Sequence, residues 1–172
     1  MRLLTTTLAL SLTATAPAQT KSPEPKCVAT TPALPPEFAG WLDRTPLTAA
    51  TTAPAATRAT LTVGKAAQLR LSPTPAVRFA LRPERPAAPD THAGLVAFTI
   101  ARPGTYRVAL GAGMWIDLVR DGRAVPSTTH RHGPPCGGIR KTVDFRLTPG
   151  RHLIQLSGGK ESSVTAMIAA IG

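Results

Sequence analysis

The sequence predicts an all-β protein, an antiparallel, jelly-roll-like β-sandwich preceded by a Pro-rich N-terminal arm. Three observations carry that expectation. From residue 59 onward, short runs alternate apolar and polar side chains, which places one face of a strand in a core and the other in water. These runs are separated by turn sequences such as Arg102-Pro-Gly-Thr105, Asp121-Gly122, Thr148-Pro-Gly-Arg151 and Ser157-Gly-Gly-Lys160. No segment shows a capped helical periodicity, and many short strands joined by tight turns indicate a sandwich or barrel.

In chain order, residues 1–18 read as a cleavable secretory signal. Arg2 supplies a positive charge, residues 3–16 are apolar with only Thr and Ser as relief, and Ala16-Pro17-Ala18 is a small-x-small cleavage site. The stretch is shorter than the ~20 apolar residues a membrane span needs, and no later segment is long and apolar enough to be transmembrane. The expected location is therefore periplasmic or secreted. Residues 19–58 are rich in Pro, Ala and Thr and form the arm and a linker. Pro denies helix and central strand, so Leu34, Phe38 and Trp41 are expected to anchor an extended arm. Residues 48–57 are expected to be a flexible connection.

Residues 59–172 form the sandwich domain. Strands are expected at 60–63, 68–71, 77–81, 106–110 and 143–147 from alternation, and at 95–100, 114–119, 153–156 and 164–171 from more continuous apolar runs. The last could also be helix, because residues 166–170 are Ala-rich. Tyr106, Val108, Leu110, Val143, Phe145 and Leu147 should point inward, with Arg107, Asp144 and Arg146 outward. Residues 98–110 echo residues 145–156, each a strand, a Pro-Gly turn and a strand, as two hairpins of one sandwich would be.

Twenty Lys and Arg against nine Asp and Glu give the chain a formal charge of +11. Such a charge informs partners and solubility rather than fold. It points to an anionic envelope lipid, an acidic polysaccharide or an acidic protein. The cations recur singly along the chain and aromatic platforms are scarce, which argues against nucleic acid. The two cysteines, Cys27 and Cys136, are expected to form one disulfide in an oxidising compartment. It would close a loop of order 100 residues and contribute roughly 4 to 5 kcal/mol in the chain-entropy model.

Candidate chemistry concentrates in residues 127–141, whose Gly and Pro content predicts a loop. Arg131, Arg140 and Lys141 there form a candidate anion-binding set, with Gly137 and Gly138 offering backbone N–H groups. His130 and His132, two apart, could reach one metal from an extended segment. A third ligand would come from His152, His92, Asp90 or Asp117, suiting iron or zinc. Catalytic signals are weak: no Gly-x-Ser-x-Gly elbow is present. Asp117 and Asp144 could in principle form a carboxylate pair, but Asp144 reads better as a surface partner of Arg146 or Lys141, and Asp117 as a strand-end hydrogen-bonding group.

Two resemblances attach to these residues. Gly122, His130-x-His132 and Pro149-Gly150-x-His152 resemble the two metal motifs of the cupins, small β-barrels that hold iron, manganese or zinc. The likeness covers about thirty residues. It implies a metal-dependent enzyme of the iron dioxygenase type, homogentisate 1,2-dioxygenase among them, with His130, His132 and His152 as ligands. Cys136 stands where the cupin pattern has Glu, and the Pro-Gly-to-His spacing is one residue short. Residues 95–122, with Pro103-Gly104-Thr105-Tyr106 and Trp115-Ile-Asp-Leu-Val119 before Asp121-Gly122, resemble exported pre-peptidase C-terminal-type modules, which implies a non-catalytic accessory. The leading expectation is thus an exported, non-enzymatic binding protein without a cofactor. The cupin-like enzyme and a structural envelope component are the alternatives.

Overall fold

The computed structural model describes Cys27 and residues 34–172. The proposed signal and most of the first half of the arm therefore lie outside the described residues. The chain folds as a β-sandwich of two sheets. One sheet orders β1 (Arg44–Thr48), β2 (Ala66–Arg70), β11 (Ser163–Ile171), β5 (Gly104–Leu110), β9 (Lys141–Leu147) and β8 (Ser127–Arg131). The other orders β3 (Ser72–Pro73), β4 (His92–Ile100), β10 (Gly150–Gly159), β6 (Trp115–Arg120) and β7 (Arg123–Val125). Pairing is antiparallel throughout except between β1 and β2. Helical structure among the described residues is confined to three 3-10 turns.

The register follows from alternation. Val108 sits between Ile168 and Val143, Tyr106 pairs with Phe145, and Ile154 sits between Val96 and Leu118. All eight side chains are buried between the sheets. The six residues expected to point inward on β5 and β9 do so. Tight turns enforce the register. Between β6 and β7, Asp121 and Gly122 take φ of 49° and 71°, the left-handed pair that a two-residue hairpin requires. Across the β4–β5 turn, the Tyr106 hydroxyl donates to the Arg102 carbonyl at 2.9 Å.

The continuously apolar strands have a structural cause, since both outer sheet faces are covered. Residues 34–41 lie over the first sheet, where Phe38 and Trp41 pack with Ala109, Ile139 and Met167. Over the second sheet, Ala56, Val77 and Phe79 pack against Leu95 and Ala97. Strands β4, β10 and β11 are therefore buried on both faces and need apolar side chains at successive positions.

Several expectations change. Residues 60–63 and 77–81 are not strands; each makes only an isolated bridge, Thr60 to Ala97 and Arg78 to Thr52. Residues 48–57 are not a loose connection, because Ala49 and Ala56 are buried and Ala50 bridges Leu95. Residues 127–131, expected in a loop, form the edge strand β8. Residues 164–171 resolve to strand rather than helix. Asp144 points to the outer face as expected, yet it is buried there and pairs with Arg107 rather than Arg146 or Lys141.

Candidate functional site

Strand β6 is paired to β7 only from Leu118 onward, because the chain leaves the sheet at Pro126 to enter β8. The first residues of β6 therefore border open space beside the first residue of β9. Two cavities meet at this place, with Trp115 and Lys141 as a common wall.

The first cavity, of about 450 Å³, lies over the outer face of the second sheet and is lined by Arg85, Thr91, Met114, Trp115, Lys141 and Ser157 among others. Trp115 and Ser157 are cross-strand partners, so register alone puts them side by side. Its far wall is the segment carrying Arg85. Gln155 anchors that segment: its Oε1 accepts from the Leu81 N–H at 3.0 Å and its Nε2 donates to the Leu81 carbonyl at 3.2 Å. Ser157 is buried and its Oγ has no partner. A buried hydroxyl without a partner is costly; Ser157 borders the cavity, but its oxygen is closed off from the open space.

Lys141 is the pivot. Its Nζ donates to the Met114 carbonyl at 2.9 Å and lies 4.9 Å from the Trp115 ring centroid, a cation–π contact. Burial, and then the neighbouring Arg85 charge, push its ammonium below the ordinary lysine value, opposed by the Asp117 carboxylate. Among the described residues no carboxylate lines this cavity, and the nearest acid acting on Lys141 is Asp117 on the neighbouring wall.

The second cavity, of about 340 Å³, opens between the sheets at the β7–β8 side. Its wall is mainly apolar, formed by Ile116, Leu118, Val125, Val143 and Phe145, continuous with the inter-sheet core. Glu84, Asp117, His130 and the shared Lys141 supply its polar lining. Asp117 Oδ1 accepts from the Trp115 indole N–H at 2.9 Å, which fixes the ring, while Oδ2 is buried without a partner.

The residues singled out from sequence distribute differently. Lys141 belongs to this site. Arg140 is exposed, and its backbone N–H is used on the Leu110 carbonyl at 2.8 Å. Arg131 pairs in register with Thr142 and so lies on the opposite face of the first sheet from Lys141. Alternation separates the three, and they do not form one anion cradle.

The proposed metal ligands are not gathered either. His130 stands on edge strand β8, opposite Val143, and His132 is exposed just beyond it. His152 lies in the central strand β10 of the other sheet, buried, with its ring stacked on Phe98 at 5.3 Å and Nε2 at 3.0 Å from the Thr148 carbonyl. Among the described residues no three His, Cys, Asp or Glu side chains form a metal-holding group. His152 shares the parity of Ile154 and Leu156, so the strand that carries it turns it into the core rather than toward β8.

Cys27 and Cys136 are disulfide-bonded, with Cα atoms 5.3 Å apart. Among the described residues no helix is long and apolar enough to cross a membrane. Trp115 and Arg85 were not singled out as site residues from sequence. The available signal was local: Trp115 and Asp117 at i and i+2 share one face of a strand. The cross-sheet and loop neighbours that complete the cavity have no sequence signature. Comparison with known protein families and with curated proteins finds no match.

Proposed function

We propose that this chain is an exported, periplasmic or secreted, non-enzymatic binding protein that takes an anionic ligand in the cavity between Arg85 and Lys141. One observation carries the reading. Two cations, Arg85 and Lys141, line a cavity whose wall, among the described residues, carries no carboxylate. A bound anion relieves the repulsion between the cations and accepts charge-assisted hydrogen bonds from them. The disulfide supports an oxidising compartment. The strand order β2-β11-β5-β9 facing β4-β10-β6-β7 supports the jelly-roll reading of the sandwich. The accessory role is the one implied by the pre-peptidase C-terminal-type resemblance.

The test is titration with inorganic phosphate, read by Trp115 fluorescence in a Trp41→Phe background. A saturable response is expected that weakens as NaCl is raised and is lost in Lys141→Met, which keeps the side-chain length and removes the charge. A response of equal strength in Lys141→Met, or none in the parent protein, refutes the reading.

A further inference from the structure

The cationic cavity and the apolar cavity share Trp115 and Lys141, and the geometry points to a ligand that uses both: a small amphiphilic anion, with a carboxylate or phosphate head and one short apolar chain. This inference rests on the anion-binding reading and specifies its ligand class.

The two cavities are chemically unlike. The first presents the Arg85 and Lys141 cations. The second is walled by Ile116, Leu118, Val143 and Phe145, whose side chains belong to the inter-sheet core. An apolar chain entering there extends the core instead of meeting water. Trp115 lies between them with one side chain serving both, its indole N–H held by Asp117 and its ring under the Lys141 ammonium. An aromatic ring of this kind can lie along an alkyl chain while its neighbour holds the head. Ligand sites of this type are mostly apolar with a few placed polar groups.

Charge sets the orientation. Glu84 and Asp117 line the apolar cavity together with the shared Lys141, whereas the cationic cavity adds Arg85 and, among the described residues, has no acid. An anionic head is therefore repelled from the apolar side and drawn to Arg85 and Lys141.

Size limits the chain. The apolar cavity has a volume of about 340 Å³. At about 30 Å³ for a methylene-sized group, taken as the share of a water molecule in the liquid, it holds on the order of ten such groups. A single chain of eight to ten carbons fits, and the two long chains of a membrane phospholipid do not. A free single-chain amphiphile, rather than a bilayer surface, is the source the cavity accommodates.

The experiment is a calorimetric series on the full chain with acetate, butanoate, hexanoate, octanoate, decanoate and dodecanoate, each below its micellar concentration. Octanol serves as the uncharged control and vesicles of neutral and anionic phospholipid as the surface control. Affinity should rise about three- to fourfold per methylene and level off near decanoate. Octanol should bind at least tenfold more weakly than octanoate. Val125→Phe, which fills the apolar cavity from strand β7, should reduce octanoate to the level of acetate while phosphate still binds.

Octanoate binding no better than acetate overturns the amphiphile inference and leaves the anion reading standing. Octanol binding as well as octanoate overturns both. An affinity that keeps rising past dodecanoate, or a response to anionic vesicles without one to monomeric octanoate, shows adsorption at a surface and also overturns the inference. The chain-length series needs no variant, so it decides the matter even if Val125→Phe fails to fold.

Discussion

At the scale of single residues, the pair of Arg107 and Asp144 shows how burial changes the meaning of an outward-pointing charge. Both sit on the outer face of the first sheet as alternation requires, directly paired across β5 and β9. Arg107 Nε and Nη2 donate to the two Asp144 carboxylate oxygens at 2.7 and 2.9 Å, and Thr129 donates to Oδ2 at 2.8 Å. Glu37, carried by the covering segment, takes the remaining guanidinium edge at 3.1 Å. Asp144 is 4% exposed, so the pair is a buried, bidentate one and not a surface contact. The Arg107 guanidinium, through its hydrogen bonds, holds the Asp144 carboxyl below its ordinary value. A carboxyl depressed in the folded state adds stability above the unfolded value of about 3.9, and that stability is lost as pH falls through the lower folded value. Asp144→Asn, which leaves Arg107 short of its partner, should therefore cost of the order of 3 kcal/mol at pH 7. Urea denaturation at several pH values checks this: the gap between the two proteins should narrow below about pH 4.

At the scale of elements, legibility followed pairing and length. Strands β4, β5, β6, β9, β10 and β11 carry long alternating or continuous apolar runs and were readable. Strand β8 has the exposure pattern of an edge, with one half-buried residue in five, so nothing in it alternates. Strand β1 contains Pro46 and pairs in parallel at the sheet edge, where a missing N–H is tolerated. Residues 77–81 misled in the other direction. Val77 and Phe79 alternate because they cover a sheet face, not because they pair within one. The candidate site was legible at Lys141 and, in its second cavity, at Asp117 and His130, though for a different chemistry. Its other members come from the segment around Arg85, from Trp115 at the start of β6 and from Ser157 on β10, and only the cross-sheet register brings them together. The covering segment itself is closely fitted, since a Cβ on Gly40 would collide with the Gly64 carbonyl. Gly40→Ala should therefore displace residues 34–41 from the turn before β2 and destabilise the fold by about 1–3 kcal/mol. The melting temperature should fall accordingly, while phosphate binding at the distant cavity is retained.

At the scale of the whole molecule, the Cys27–Cys136 bridge joins residues 109 apart. It ties the start of the described chain to the turn before β9. Cys136 has a φ of 64° and Gly138 one of 69°, so this turn holds an unusual backbone path beside Trp41 and Ile139. A crosslink over so long a loop acts mainly on the unfolded chain, whose freedom it limits, and contributes about 4–5 kcal/mol in the chain-entropy model. The folded site depends on it much less. Lys141 is held by the β5–β9 ladder and by its own bond to the Met114 carbonyl, and Arg140 just before it is held by the Leu110 carbonyl. Reduction, or the Cys27→Ser, Cys136→Ser double variant, should therefore lower the denaturation midpoint strongly and leave anion affinity within about twofold wherever the protein is still folded. Urea curves and phosphate titrations on the oxidised and reduced forms separate the two effects. A loss of affinity as large as the loss of stability would mean that the bridge shapes the cavity as well as the unfolded chain.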